Sequence, residues 1–377
     1  MSAPGTLPRW AELGLLPVIN LVAALLISGV VIMLLGESPV AAFKLMAAGS
    51  VGTQEGIGYT LYYATNFIFT GLAVAVAYHA GLFNIGAEGQ AYIGGLGTAL
   101  VCLWLGAWPF WAVLPLAVLA GAGFGAVWAF IPAYLQAKRG SHIVITTIMF
   151  NFIAASLMTY LLVNVLIKPG QQSPESREFS VNAWMPSATD VLARVGVGFA
   201  ATPLNLAFGF ALGAAVLVWL LVWRTRWGYA LRVAGENPAA AVFAGIAPPR
   251  VIIGAMLLSG ALAGGLGLNE LMGSQHRILM DFPSGAGFVG IAVALMGRNH
   301  PAGIIVAAVL FGALYQGGSQ LSFDMPKINR DMVVVIQGLV ILLCGAMENV
   351  FKAPLAKLWH GCLARDPKPT GGTPAPR

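Results

Sequence analysis

Ten apolar runs follow one another along this chain, at 13–35, 58–79, 90–106, 109–136, 143–167, 204–223, 250–272, 286–297, 301–321 and 332–351. Crossing the hydrocarbon of a bilayer takes about 20 apolar residues, and most of the runs meet that length. The eighth is short and glycine-rich, and is expected to be broken or re-entrant. Such a chain has too little polar surface for water: only 9% of its 377 residues are charged and 58% are hydrophobic, where soluble domains are about a quarter charged. Backbone polar groups inside lipid must pair within the segment, which favours helices. The expected fold class is therefore an all-α polytopic membrane protein with about ten transmembrane helices, in direct contact with membrane lipid. The 47 glycines suit close helix packing in lipid.

Orientation follows from lysine and arginine beside the spans. With the N-terminus inside and the runs alternating, thirteen of the 20 basic residues fall on the inside. Three of the other seven lie in 168–203, where Glu175, Glu178 and Asp190 offset them. An even number of spans with both termini cytoplasmic fits this distribution. The first run is longer than a signal-peptide core and is read as an uncleaved span.

Three segments are not spans. Residues 37–57, with Pro39, Lys44 and Glu55, are expected to form a short interfacial helix outside. Residues 168–203 read as an extracytoplasmic loop, and 365–377, rich in proline and glycine, as a disordered tail. Residues 1–364 are then one transmembrane domain, with no room for a second, soluble one.

Several chemistries are excluded. Cys102, Cys344 and Cys362 have no metal or disulfide spacing. The chain lacks a G-x-x-x-x-G-K-[ST] loop, a G-x-S-x-G and an H-E-x-x-H. The G-x-G-x-x-G at 285–290 has no strand before it and is not a dinucleotide fingerprint. No basic run is interleaved with aromatics, so no nucleic-acid partner is expected.

Two stretches carry the functional reading. "GLFNIGAEGQ", Gly81 to Gln90, places two amides and a carboxylate between apolar runs. Polar groups at membrane depth must face a cavity or a partner, and a broken helix frees backbone groups that need protein or water. Asn84, Glu88 and Gln90 are therefore candidates for a bend along a translocation path, the alternative being a tight cytoplasmic turn. Asn151, Asn269 and Glu270 are the next candidates, against a role as interhelical hydrogen bonders. A second glycine-broken segment, 284–297, lies in the other half.

The other stretch, Arg224 to Arg250, is cytoplasmic in this topology. Asn237 followed by Pro238 is a helix start. Ala239 and Ala240 propagate it, and Gly245 with Pro248 and Pro249 ends it. Glu236 lies at the positive end of the dipole. With Arg232 and Gly235 before it, this describes a helix of about two turns, too short to be stable alone in water and so expected to dock on a cytoplasmic partner.

These stretches, with "TTIMFNFIA" (146–154), "SGALAGGLG" (259–267), "GFVGIAVALMGRNHPAGIIVAAVLFGAL" (287–314) and "VVIQGLVIL" (334–342), resemble the permease subunit of bacterial ABC importers. The branch is that of simple-sugar, ribose-type and nucleoside permeases, related to branched-chain amino acid permeases. "GLFNIGAEGQ" with "GFVGIAVALMGR" is most similar to the nucleoside branch. The resemblance implies a multi-pass protein of the bacterial inner membrane, paired with a second permease as homodimer or heterodimer. It implies two cytoplasmic ATPase subunits that bind ATP and Mg, and an extracytoplasmic solute-binding protein. This chain then binds no cofactor or metal and is not an enzyme. The helix at 237–245 corresponds to the coupling helix, with Arg232, Gly235, Glu236, Asn237, Pro238, Ala239, Ala240 and Gly245 at the ATPase contact. The expected solute is a nucleoside or related small molecule. The alternatives are a simple sugar, a branched-chain amino acid or, on Glu88 and Glu270, ion-coupled secondary transport.

Overall fold

The computed structural model describes residues 15–346, apart from 326 and 329. The tail at 365–377 and the ends of the 1–364 domain lie outside the described residues. The elements in chain order are α1 (Leu16–Leu34), α2 (Pro39–Val51), α3 (Gln54–His79), α4 (Ala87–Leu105), α5 (Phe110–Arg139), α6 (Ile143–Asn164), α7 (Ala188–Ala193) and α8 (Ala207–Arg224). They continue with α9 (Arg226–Glu236), α10 (Pro238–Phe243), α11 (Pro248–Gly264), a wide-turn π segment (Leu268–Gln275), α12 (Ala286–Met296), α13 (Pro301–Asp324) and α14 (Arg330–Ala346). Apart from two isolated bridges, Ile167 with Ser176 and Ser187 with Asn205, no extended pairing forms among the described residues.

Each of the ten apolar runs contains a helix. Six are long and apolar enough to cross a membrane: α3, α5, α6, α8, α11 with its π continuation, and α13. A seventh is the bent pair α1–α2, if its 118° break lies within one span. One part of the difference from ten is α12, whose 11 residues reach only about 16 Å, half a bilayer. Residues 37–57, expected to form an interfacial helix, contain α2, opened by Ser38 and Pro39, and α3 begins earlier than its apolar run, at the Thr53 cap.

α3 is the axis of the bundle. In its most apolar stretch 89% of residues are buried, against 22% in α5 and in α6, which keep broad apolar faces outward as a lipid-facing helix must. α4, α5 and α11 pack backbone to backbone. A Cβ on Gly94 would lie 3.0 Å from the Gly121 carbonyl oxygen and nearer still to Gly264, and Gly125 and Gly260 meet the same way. Small residues allow this approach, which replaces the hydrophobic drive that lipid removes.

The bundle has two distinct ends. At one, the His79 ring bonds the Asn299 carbonyl (3.0 Å) and stacks edge-on to Trp223, beside α9 and α10. At the other, 168–203 forms a cap tied down by Phe179 N–H to His276 O (2.7 Å), Met185 N–H to Met272 O (2.8 Å) and Arg177 to Leu103 O (2.6 Å). This cap is more ordered than a polar loop requires, because Phe179, Ala183 and Met185 are buried beneath it.

Candidate functional site

Residues 80–86 leave the end of α3, turn at Gly81 (φ +73) and climb back into the bundle before α4 starts. From the other side, the chain leaves the π segment at Gln275 and descends to the start of α12. The two broken helices meet inside the bundle with their N-termini together. Thr70, in the C-terminal half of α3, marks the depth by donating to Ala286 O (3.0 Å).

Glu88 holds that junction. Its carboxylate accepts from Gly285 N–H (2.8 Å) and Gly287 N–H (2.6 Å), one oxygen to each. Free N–H groups and the positive dipole end of a helix favour an anion there, and in a dry interior a charged acceptor is worth more than a neutral one. Gly287 has no side chain because its Cα lies against Glu88.

The amides serve the freed backbone. Asn84 is fully buried and Gln90 nearly so. Asn84 donates to Gln90 Oε1 (3.0 Å) and Ser259 Oγ (2.9 Å) and accepts from Gly86 N–H (2.8 Å); Ser259 in turn donates to Ala73 O (2.6 Å). Asn151, reaching across from α6, accepts from Gly89 N–H (2.9 Å) and donates to Ile85 O (2.9 Å).

A second network sits further towards the capped end. The π segment turns Asn269 and Glu270 inward, a use to which such wide turns are often put. Asn269 donates to Tyr62 O (3.1 Å) and Asn66 Oδ1 (2.9 Å) and accepts from Asn205 (2.9 Å). Glu270 accepts from Asn66 (2.5 Å) and Gln275 (2.9 Å). Ser259 beside Asn84, Asn205 beside Asn269, Asn66 beside Glu270, and Thr70 beside Ala286 were not candidates from the sequence, since one hydroxyl or amide in a loop or apolar run has many uses.

At the opposite end, α10 has the geometry its sequence describes. Asn237 Oδ1 accepts from Ala240 N–H (3.0 Å), Pro238 opens the helix, and Gly245 follows it at φ +75. Glu236, Ala239 and Ala240 are exposed, Arg232 and Gly235 half-buried, and Phe243 is 94% exposed. The preceding helix α9 buries Leu231 and Ala234 and delivers Gly235 onto the turn at Gly81, where a Cβ on Gly81 would lie 2.9 Å from Gly235 O. A cleft of about 560 Å³ opens beside this contact, lined by His79, Phe83, Arg232 and Glu236. No group of three or more His, Cys, Asp or Glu suited to a metal occurs among the described residues.

On the capped end His276 stacks on Trp184, centroids 4.0 Å apart. Burial holds its pKa below the ordinary histidine value; Arg277 adds to the shift and Glu178 opposes it.

Comparison with known proteins bears on all of this geometry. The chain is 36% identical to a glucose ABC transporter permease protein of Haloferax volcanii, over 89% of this chain and 88% of that protein. It is 33% identical to a guanosine ABC transporter permease protein of Bacillus subtilis, over 91% and 96%, and 32% identical to a nucleoside ABC transporter permease protein of Lactococcus lactis, over 91% and 93%. Residues 56–345, which hold both broken helices, both polar networks and the α9–α10 loop, match the family described as branched-chain amino acid transport system / permease component, and the chain belongs to that family of multi-pass, non-catalytic ABC transporter permeases.

Proposed function

We propose that this permease carries a nucleoside or a closely related hydroxylated solute inward across the cytoplasmic membrane, by a path that borders the junction of the two broken helices. Asn84, Glu88, Gln90, Asn151, Asn269 and Glu270 form the polar seams of that path and hold its irregular walls in shape. The apolar runs supply about ten crossings, with both termini inside, α10 cytoplasmic and 168–203 outside. The chain works with a second permease, two ATPase subunits that take up ATP and Mg, and a binding protein that delivers solute.

The observation that carries this reading is the continuity from α10 to Glu88. An exposed, self-capped helix with Phe243 at its tip invites a protein surface. Behind it α9 presses Gly235 on Gly81, the 80–86 segment leads to α4, and Glu88 joins α4 to α12. Displacement of the α10 surface by Arg232, Gly235, Glu236, Asn237, Pro238, Ala239, Ala240 and Gly245 is thereby passed to both broken helices. The chain alone has no nucleotide-binding loop, so the movement must come from elsewhere. The test is reconstitution: uptake of tritiated guanosine into liposomes requires the ATPase, the binding protein and ATP. Accumulation against a gradient by this chain alone overturns the reading in favour of ion-coupled transport.

A sugar substrate is the second reading, favoured by the 36% identity to a glucose permease. Tritiated glucose in the same liposomes separates the two.

A further inference from the structure

The descent from His276 to Gly285 is irregular and leaves several side chains exposed. His276, Asp281, Ser284 and Gly285 all have positive φ, between 48° and 79°, so the segment cannot be helical. It passes deep into the bundle. Asp281 N–H donates to the Tyr92 hydroxyl (2.5 Å), and Phe282 stacks flat on the Tyr92 ring, centroids 5.1 Å apart and planes 5° off parallel. Tyr92 lies thirteen residues from the outer end of α4, about 20 Å inward along the helix. At that depth Asp281, Ser284, Met280 and Phe288 are exposed.

Lipid does not tolerate this surface. Irregular backbone at membrane depth occurs only where protein or a water-filled cavity covers it, and an ionisable side chain there marks a solute or ion route. The segment is rigidly held, by Glu88 at one end and the Tyr92–Phe282 stack at the middle. An exposed carboxylate on a segment that also exposes the Ser284 and Phe288 side chains has the chemistry for a neutral polyol: an acceptor for two hydroxyl donors, and an apolar face for a ring. The same carboxylate repels anions.

We infer that Asp281 is a specificity-determining residue of the path, accepting hydrogen bonds from vicinal hydroxyls of the passing solute while Phe288 packs against its ring. This rests on the reading of the chain as a permease for hydroxylated solutes, and ribose diols and free sugars share the chemistry. Asp281 contributes only its backbone to the contacts that shape the segment, the N–H to Tyr92 and the carbonyl to the Ser284 hydroxyl (3.0 Å), so the fold does not depend on its carboxylate.

The test uses the complete complex in liposomes, wild type and Asp281→Asn, at matched permease content. One arm compares tritiated guanosine with 2′,3′-dideoxyguanosine, the other glucose with a deoxyglucose. For whichever hydroxylated solute the wild type carries, Asp281→Asn should raise KM by about ten-fold, the loss expected of a hydrogen bond to a charged acceptor, with little change in the maximal rate or in stimulated ATP hydrolysis. Its preference for hydroxylated over deoxy solute should collapse, and Phe288→Ala should raise KM for both members of each pair. An unchanged preference in a complex that still transports overturns the role of Asp281 and leaves the permease reading intact. Failure of the wild type to carry either hydroxylated solute overturns the substrate reading and this inference together.

Discussion

The Glu88 carboxylate and the Gly287 amide lie 2.6 Å apart, joining the first turns of two helices that both begin inside the bundle. With Gly285 on the second oxygen, one side chain closes the positive ends of two half-length elements. Replacing Glu88 by Gln keeps the shape but leaves one acceptor for two donors, setting an NH2 against a backbone N–H, and an unsatisfied buried donor costs about 1–3 kcal/mol. Uptake should fall about ten-fold or more while the amount of permease in the membrane stays near wild type. Equal loss of both, by quantitative blotting beside the uptake assay, would assign Glu88 to packing alone.

Gly287 should be as sensitive from the other side. A Cβ there would lie 2.5 Å from the Glu88 Cα, so Gly287→Ala must push α12 away from α4. Transport should be lost and the midpoint of thermal unfolding in detergent should drop. A Gly287→Ala protein with wild-type uptake and midpoint would show that the junction is slack.

Asn269 joins α3, the π segment and Asn205. A single interhelical hydrogen bond in a membrane protein averages about 0.6 kcal/mol, but Asn269→Leu also leaves the Asn66 Oδ1 acceptor and one Asn205 N–H donor without their partner, each at about 1–3 kcal/mol. The expected destabilisation is therefore larger than one bond suggests, and larger than that of Thr159→Ala on an exposed face of α6. Unfolding in graded denaturing detergent measures both; equal midpoints would contradict the network.

At α10, loss of the Asn237 cap costs about 1 kcal/mol of local helix stability. Asn237→Ala and Ala240→Glu should leave the permease folded but uncouple ATP hydrolysis from uptake, and Phe243→Ala should weaken retention of the ATPase on an affinity column. Normal coupling in all three would remove α10 from the drive train.

The Trp184–His276 stack gives the 168–203 cap a pH dependence. Burial lowers the pKa of His276, so the unfolded or undocked state binds the proton more readily. The stabilising contribution is present above about 6.5, the ordinary histidine value, and is lost as pH falls towards the lower folded value. Glu178, facing His276, moderates the effect and Arg277 strengthens it. Limited proteolysis of 168–203 should accelerate between pH 7.5 and 5 in wild type (about neutral to mildly acidic) and lose most of that dependence in His276→Gln. A flat wild-type profile would refute it.

Some of this was legible in the chain. The caps at Asn237–Pro238, the stop at Gly245 and every apolar run are local matters, settled by which residues stand next to each other. The amides of "GLFNIGAEGQ" announced a break, because buried backbone needs partners. Their bonding did not follow from the sequence: Asn84 finds Ser259, and Glu88 finds Gly285 and Gly287, across nearly 200 positions.

The sequence by itself determined the solvent, the helical class and the placement of caps and breaks, since hydropathy and capping act over a few residues. Only the tertiary structure decided that the two breaks meet N-terminus to N-terminus, that the π segment turns Glu270 inward, and that Asp281 remains open. Those outcomes depend on how helices far apart in the chain share depth and backbone contacts, and no local preference encodes a distance between segments.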